Sequence, residues 1–397
     1  MRSIDERQKT VTDSPRNRRQ RRIPILAALG LIAALAIAAC GGGGGIEGGS
    51  SNANVTTVKL QPKPTGQVTI SNWPFYIDSK TVPDFEKQSG LSVKYIEDVN
   101  DNAEFFGKVQ PLLARGQSGG RSMFVVTDWM AKKMYDLGYL QKIDKSAIPN
   151  VEKNLVSSLQ HPSFDPNRVF TVPWQSGMAG LIVNKQLAPN VHSICDLFDP
   201  KYRGKVEMLT ELRDTVTLVM KCIGLDASNP SEADYMKAID KISAAANSGQ
   251  IRRFTGNDYT RDMANGDVSA IIGWSGDAVQ LQADNPNIEF RMPTEGCVLF
   301  SDNMVIPVGA PNPTAAEAFM NYAYDPQNQA QIAAYNSYVT PVDGVQAIFQ
   351  KDDPALAKSQ LIFPTDQFTK NCSSAPDLTG AEEQRVTRAF EGVLNGS

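Results

Sequence analysis

The sequence predicts an α/β protein built as two lobes, and three observations predict it. From residue 67 onward, short apolar strands alternate with amphipathic helices, the pattern of a mostly parallel sheet. Aromatic and acidic residues recur just after the strands, where ligands bind in such sheets. About 330 residues follow the first 66, more than one compact core usually holds.

The N-terminal segment stands apart from this fold. Arg16, Arg18, Arg19, Arg21 and Arg22 precede an apolar run, Ile23 to Ala39, that ends in Ile37-Ala38-Ala39-Cys40. A basic region, an apolar region and small residues before a cysteine make a secretory signal of the lipoprotein type. Residues 1–39 are the expected signal peptide and Cys40 the expected lipidated residue. The apolar run is short for the ~20 residues that cross a bilayer. The surroundings of Arg21-Arg22 fit a twin-arginine signal poorly, and the export route stays open. Residues 40–66 combine Cys40 with a tether rich in Gly, Ser, Asn, Thr and Pro. The expected location is outside the cytoplasm, in the periplasmic space or on the outer face, with Cys40 holding the protein to the cell membrane.

Order is expected from Gln67. Val68 and Ile70 alternate with polar residues as in a strand, and the loop Asn72-Trp73-Pro74-Phe75-Tyr76 follows. Val82 and Phe85 lie on a helix that Gly90 stops. Leu91 to Ile96 is the next strand, Phe105 to Ala114 the next helix, and Met123 to Val126 a buried strand ending at Thr127-Asp128-Trp129. Gly180 to Val183, Val206 to Leu209 and Ile271 to Trp274 continue the alternation. Thr314 to Glu317 reads as a capping box opening a helix with Ala316, Phe319, Met320 and Ala323 on one side.

Bulk properties remove several functions. The net charge is −4 and no Lys/Arg run lies beyond the signal, so nucleic acid is not an expected partner. Four cysteines remain after Cys40: Cys195, Cys222, Cys297 and Cys372. In an exported protein they imply disulfides, with three connectivities open. We expect Cys195–Cys222 and Cys297–Cys372. No CxxC pair or Cys/His cluster occurs, so neither a zinc site nor a cofactor is expected.

The residues after the strands point to a cation. Trp73, Tyr76, Trp129, Trp274 and Phe300 each have a carboxylate or polar group nearby, among them Glu211, Asp214, Asp277 and Asp302. Singly, each aromatic is ordinary core and each acid a solvated loop end. Together they form a box for an organic cation, because aromatic faces attract ammonium groups by ~0.5–2 kcal/mol. Carboxylates complete it, since a desolvated ammonium needs a partner.

The chain from about Gln67 to its C-terminus resembles the periplasmic polyamine-binding proteins, the spermidine and putrescine receptors of ABC importers. The resemblance rests on Asn72-Trp73-Pro74-Phe75-Tyr76, Gln141 to Ser146, Phe164-Asp165-Pro166-Asn167, the Trp274 loop, and Asp302 with the strand to Ile306-Pro307. It implies two lobes of the type II periplasmic-binding-protein kind, each a mixed sheet flanked by helices, joined by hinge strands and closing over ligand. The expected lobes are 67–174 with about 303–345, and 175–302 with about 346–397. By position the resemblance implies ligand contacts from Trp73, Tyr76, Thr127, Trp129, Glu211, Asp214, Trp274, Asp277, Phe300, Asp302 and Tyr338. Phe75 stands where spermidine-type receptors carry an acid, whereas Asp277 fits the putrescine type. The expected function is a lipid-anchored receptor that captures putrescine or spermidine and delivers it to the permease of an ABC importer, as a monomer. Another cationic small molecule or a metal chelate is the alternative. A ligand carboxylate would call for an arginine, with Arg213 and Arg261 as candidates.

A secreted serine hydrolase is the competing enzyme class. Gly116-Gln117-Ser118-Gly119-Gly120 satisfies G-x-S-x-G, but that elbow needs a strand before it and a helix after it. Here a helix precedes and a strand follows. His161 and His192 are the available bases, and both lie in polar, solvated stretches. Glu211 and Asp214 would suit glycosidase chemistry, but no sugar platform accompanies them. No catalytic residue is expected.

Overall fold

The computed structural model describes residues 64–378 and 380–396. The expected signal segment, Cys40 and nearly all of the expected tether lie outside them.

The first lobe is a parallel unit. β1 (Gln67–Asn72) leads through α1 (Thr81–Ser89) to β2 (Ser92–Glu97), then through α2 (Asn102–Leu113) to β3 (Met123–Thr127) and α3 (Asp128–Asp136). Gly90 ends α1 in the left-handed conformation at φ 78°, a position that favours glycine. Asp101 caps α2, its side chain accepting from the Glu104 N–H at 2.8 Å. After the short α4 (Pro149–Asn154) comes β4 (Thr171–Asn184), 14 residues long.

The second lobe repeats the scheme. β5 (Val206–Leu209), α5 (Leu212–Cys222), α6 (Glu232–Asn247), β6 (Ile251–Thr255), α7 (Tyr259–Asn265), β7 (Ala270–Trp274), α8 (Ser275–Asp284) and β8 (Ile288–Arg291) lead to β9 (Val298–Val305). Then follow α9 (Pro313–Ala323), α10 (Pro326–Asn336), α11 (Val345–Asp352), α12 (Asp366–Thr369), β10 (Ser373–Ser374) and α13 (Gly380–Leu394).

Hydrogen bonding joins both halves in one sheet, in the order β2-β1-β3-β9-β4-β7-β5-β6, with β10 on β9 and β8 on β4. The flanks are parallel and the middle antiparallel. Two strands make the crossing. Thr171 and Val172 of β4 face Val305 and Met304 in the first lobe, while Ala179 to Val183 pair with β7 in the second. The register shifts between Pro173 and Gln175, so the crossing carries a bulge where the lobes meet. The sequence reads only Gly180 to Val183 of β4, because Pro173 and Gly177 interrupt the β signal before it.

Other expectations need correcting. The helix expected from Phe105 begins at Asn102. Thr314 to Glu317 forms no capping box: Asn312 caps α9, and Glu317 accepts from the Asp144 N–H at 2.8 Å instead. α11 follows α10 and packs against it. Disulfides join Cys195 to Cys222 and Cys297 to Cys372. The second of these fastens β10 beside the start of β9.

Candidate ligand-binding cleft

Three helices begin where strands end, and their first turns bring acids together. Asp128 opens α3 directly after β3, Asp277 lies in the first turn of α8 after β7, and Asp214 in the first turn of α5. Each carboxylate thus sits near the positive end of a helix. All three line one cavity of about 360 Å³ between the lobes, a volume within the small-molecule range.

Every side chain expected at the site lines this cavity. Trp73, Tyr76, Thr127 and Trp129 come from the first lobe; Glu211, Asp214, Trp274 and Asp277 from the second; Phe300 and Asp302 from β9; and Tyr338 from the turn after α10. The aromatic walls meet edge to face: Trp73 on Trp274 at 5.6 Å, Tyr76 on Tyr338 at 4.9 Å, Phe300 beside Tyr338 at 6.3 Å. Gly276 makes one of these contacts possible, because a methyl group there would collide with the Tyr338 ring.

The acids are held by neutral donors. Asp302 accepts from the Tyr76 hydroxyl and the Thr127 hydroxyl, both at 2.7 Å. Asp277 accepts from Tyr338 at 2.8 Å and from Tyr259 and Asn257 at 2.7 Å. Asp214 accepts from the Trp274 indole at 2.9 Å. Glu211 reaches across the cleft to the start of α2, accepting from the Asn102 backbone at 2.7 Å and its side chain at 2.8 Å.

Burial outweighs these hydrogen bonds. It pushes Asp302 up to about 7 and Asp214 and Asp277 up to about 6. Asp128 also rises to about 6 through burial, and Glu211 rises well above its usual value, burial first and then the fields of Asp101 and Asp214. The physical cause is shared: carboxylates taken out of water with too little positive charge beside them. The cavity stores an unmet demand for cations.

Sequence reasoning missed several lining residues. Asn102, Asp128, Asn257 and Asp377 line the cavity, and Tyr259 donates from behind it. Asp128 had the strand end at Thr127-Asp128-Trp129 as a local signal, and Asn102 the D-x-x-E pattern of Asp101 and Glu104 that marks a helix start. Phe164 lines the cavity while its neighbour Asp165 is structural, accepting from the backbone N–H groups of Val169, Phe170 and Thr171 at 2.8, 2.9 and 3.0 Å. Of the two arginine candidates, Arg213 lines the cavity; the Arg261 side chain is 75% exposed and lies outside the lining.

The hydrolase motif is a turn. Ser118 is buried, its hydroxyl donating to the Gly309 carbonyl at 3.1 Å, between α2 and β3. His161 bonds the Pro166 carbonyl at 2.8 Å and His192 is exposed. Among the described residues, no group of three or more His, Cys, Asp or Glu is placed to hold a metal ion.

Residues 80–359 match the model of the bacterial extracellular solute-binding protein family. The chain belongs to that family. It is 28% identical over 356 residues to the putrescine-binding periplasmic protein SpuD of Pseudomonas aeruginosa, covering 82% of this chain and 91% of that one. It is 24% identical to the spermidine/putrescine-binding periplasmic protein of Escherichia coli, covering 78% and 86%. A solved structure from Listeria monocytogenes, assigned to a spermidine/putrescine ABC transporter, is 26% identical and superposes with a TM-score of 0.74 over 82% of this solute-binding protein and 98% of that chain. These neighbours are two-lobed periplasmic binding proteins, which fixes the fold as that kind.

Proposed function

We propose that this solute-binding protein captures a polyamine, putrescine or spermidine, and presents it to the membrane permease of an ABC importer. The observation that carries the reading is the set of buried cleft acids held by hydroxyl, indole and amide donors, with burial raising their pKa values. An alkyl diamine supplies the missing charges, and its methylenes fit the aromatic walls at ~0.8 kcal/mol each. Asp302 and Asp277 hold one amine and Asp214 another, while Trp73, Tyr76 and Trp274 stack along the chain. Glu211 bonds the start of α2 and so favours the closed cleft.

The binding step needs no bond making. The protein is not an enzyme in this reading, works as a monomer, and is tethered through lipidated Cys40 after removal of residues 1–39. Its first lobe takes in 67–174 and 303–345 together with α11, and its second 175–302 and the remaining C-terminal residues. The test is a thermal-shift and calorimetric panel of putrescine, spermidine, spermine, cadaverine, arginine and ferric citrate. Ligand at 100 times its Kd stabilises the fold by ~2.7 kcal/mol, a readily visible shift. A shift with polyamines alone supports the proposal. A shift with ferric citrate or arginine and none with polyamines overturns it.

A further inference from the structure

The sheet runs from β2 at one edge to β6 at the other, yet the loops that follow these two strands touch. Asn100 lies between β2 and α2, and Gly256 and Asn257 lie between β6 and α7. The Asn257 N–H donates to the Asn100 carbonyl at 3.3 Å. Beside it the Thr210 hydroxyl, just after β5, donates to the Asp101 carboxylate at 2.7 Å. Glu211 adds its two bonds to Asn102, both through Oε1. Every one of these contacts spans the lobes in the division proposed above. The lobes are joined by β4 and β9 in the middle of the sheet, so a movement about those strands parts the two edges.

Gly256 decides how closely these loops approach. It is buried, and a Cβ on it would collide with the carbonyl oxygen and the side chain of Asn100. It is not among the glycines with positive φ, so close approach calls for glycine here and backbone freedom does not. Neither Gly256 nor Thr210 lines the cavity, whereas Asn102, Glu211 and Asn257 do. Asn102 carries the contact inward. Its side chain donates to the Thr127 hydroxyl at 2.9 Å and accepts from the Thr127 N–H at 3.2 Å. The Thr127 hydroxyl in turn donates to Asp302 at 2.7 Å. An unbroken run of hydrogen bonds thus joins Glu211, at the meeting of the loops, to an acid of the cleft.

We propose that these loops form a closure seam in which Gly256 is a positioning residue: it touches no ligand, and its missing side chain lets the lobes shut. The inference rests on the binding reading above and adds the place where the closed cleft is locked. The seam forms after the ligand has entered, so it slows escape and leaves entry alone.

Stopped-flow binding of putrescine and spermidine to wild type, Gly256→Ala, Thr210→Val and Gly107→Ala tests it. Gly107 is exposed on α2 with nothing within 4 Å of an added Cβ, and it controls for the substitution itself. Gly256→Ala is expected to raise the dissociation rate by about tenfold or more while association changes by less than about twofold. Thr210→Val loses one hydrogen bond of the seam and is expected to raise dissociation by about threefold. Gly107→Ala leaves both rates as they are. The urea midpoint of ligand-free Gly256→Ala is expected to match wild type, since open lobes carry no clash. An unchanged dissociation rate overturns the proposal. So does a urea midpoint that falls in step with affinity, which makes Gly256 a packing position within one lobe. Where Gly256→Ala does not fold, Thr210→Val carries the test, and an unchanged dissociation rate there overturns the seam. Wild type that binds neither amine sinks the polyamine reading alone, and hydrogen exchange of the ligand-free proteins then decides the seam. Faster exchange of the Asn102 and Asn257 amides in Gly256→Ala, or in Thr210→Val, than in wild type supports it, and equal rates overturn it.

Discussion

Two groups of buried acids in this protein have opposite surroundings. In the cleft, Asp214, Asp277 and Asp302 are held by neutral side chains, and burial raises all three. In the second lobe, Glu207 and Asp262 are buried against Arg252 and Arg253, with Arg253 Nη2 2.7 Å from Asp262 and Nε 3.2 Å from Glu207. There Asp262 is lowered to about 2, the arginine hydrogen bonds outweighing its burial, while Glu207, fully buried, still rises to about 7. A buried acid that brings its own cation belongs to the fold. In the proposed function a buried cleft acid without one is where a ligand cation docks, and this difference separates framework from proposed site more sharply than burial does.

The largest expected effect falls on the framework. Removing both cations in Arg252→Ala/Arg253→Ala strands Glu207 and Asp262, which is expected to cost about 3–5 kcal/mol of stability. Urea unfolding measures it, with ligand affinity per folded molecule unchanged. A variant as stable as wild type would show that the two groups of acids are not different in kind.

The mirror experiment is Asp302→Asn, which keeps the shape of the cleft and removes one acid. Polyamine affinity is expected to fall by about 2–5 kcal/mol, since an ammonium loses its buried partner. The ligand-free protein is expected to become no less stable, because of the Tyr76 and Thr127 hydroxyls, which donate to different oxygens of Asp302, one can donate to the amide oxygen and the other can turn to accept from the amide N–H. Calorimetry and thermal melting on one preparation read both quantities. Unchanged affinity would remove Asp302 from the binding role.

Proton linkage gives the next effect, and its sign differs between ligand-free and bound protein. Asp302 at about 7 and Asp214 and Asp277 at about 6 hold protons in the folded, empty cleft that the unfolded chain releases near 3.8. These groups stabilise the empty protein below their unfolded values, and that contribution is lost as pH rises through about 6 to 7. A bound cation demands ionised acids, so binding releases those protons. Affinity is expected to rise by about tenfold or more from pH 5.5 to pH 8, with the ligand-induced melting shift growing in parallel. A pH-independent affinity with no proton release in calorimetry would mean the cleft acids are already ionised.

The comparison also separates what was legible in the sequence from what was not. Strand ends were legible because buried strands such as Met123 to Thr127 carry an uninterrupted apolar run, and helices start straight after them. That placed Trp73, Tyr76, Thr127, Trp129 and Trp274 on the cavity without any structure. Two of the three donors to Asp277 were not legible. Asn257 and Tyr259 sit at the start of a seven-residue helix, and nothing in their spacing marks them as facing a carboxylate on α8. The crossing of β4 was hidden for a similar reason. Its partners change along its length, so no single periodicity runs through Thr171 to Asn184. The arginine partners of Glu207 were equally silent, being 45 and 46 positions away on a neighbouring strand.

The smallest effect belongs to a pair that is neither framework nor site. Lys133 on α3 and Glu383 on α13 meet at 3.5 Å, between the two lobes as proposed above, with side chains 36% and 21% exposed. Such a pair is screened by water and costs two long side chains their freedom, so its net worth is about 0–1 kcal/mol. Lys133→Ala is therefore expected to change unfolding stability by less than about 0.5 kcal/mol. In the proposed division the pair exists only when the lobes are together, so what little it contributes is lost on opening. It should show as a ligand dissociation rate raised by about twofold at low salt, with the difference vanishing near 1 M salt where the screening length is about 3 Å. Stopped-flow release at the two salt concentrations decides the matter, and a loss of affinity that persists in high salt would place Lys133 with the buried cations instead.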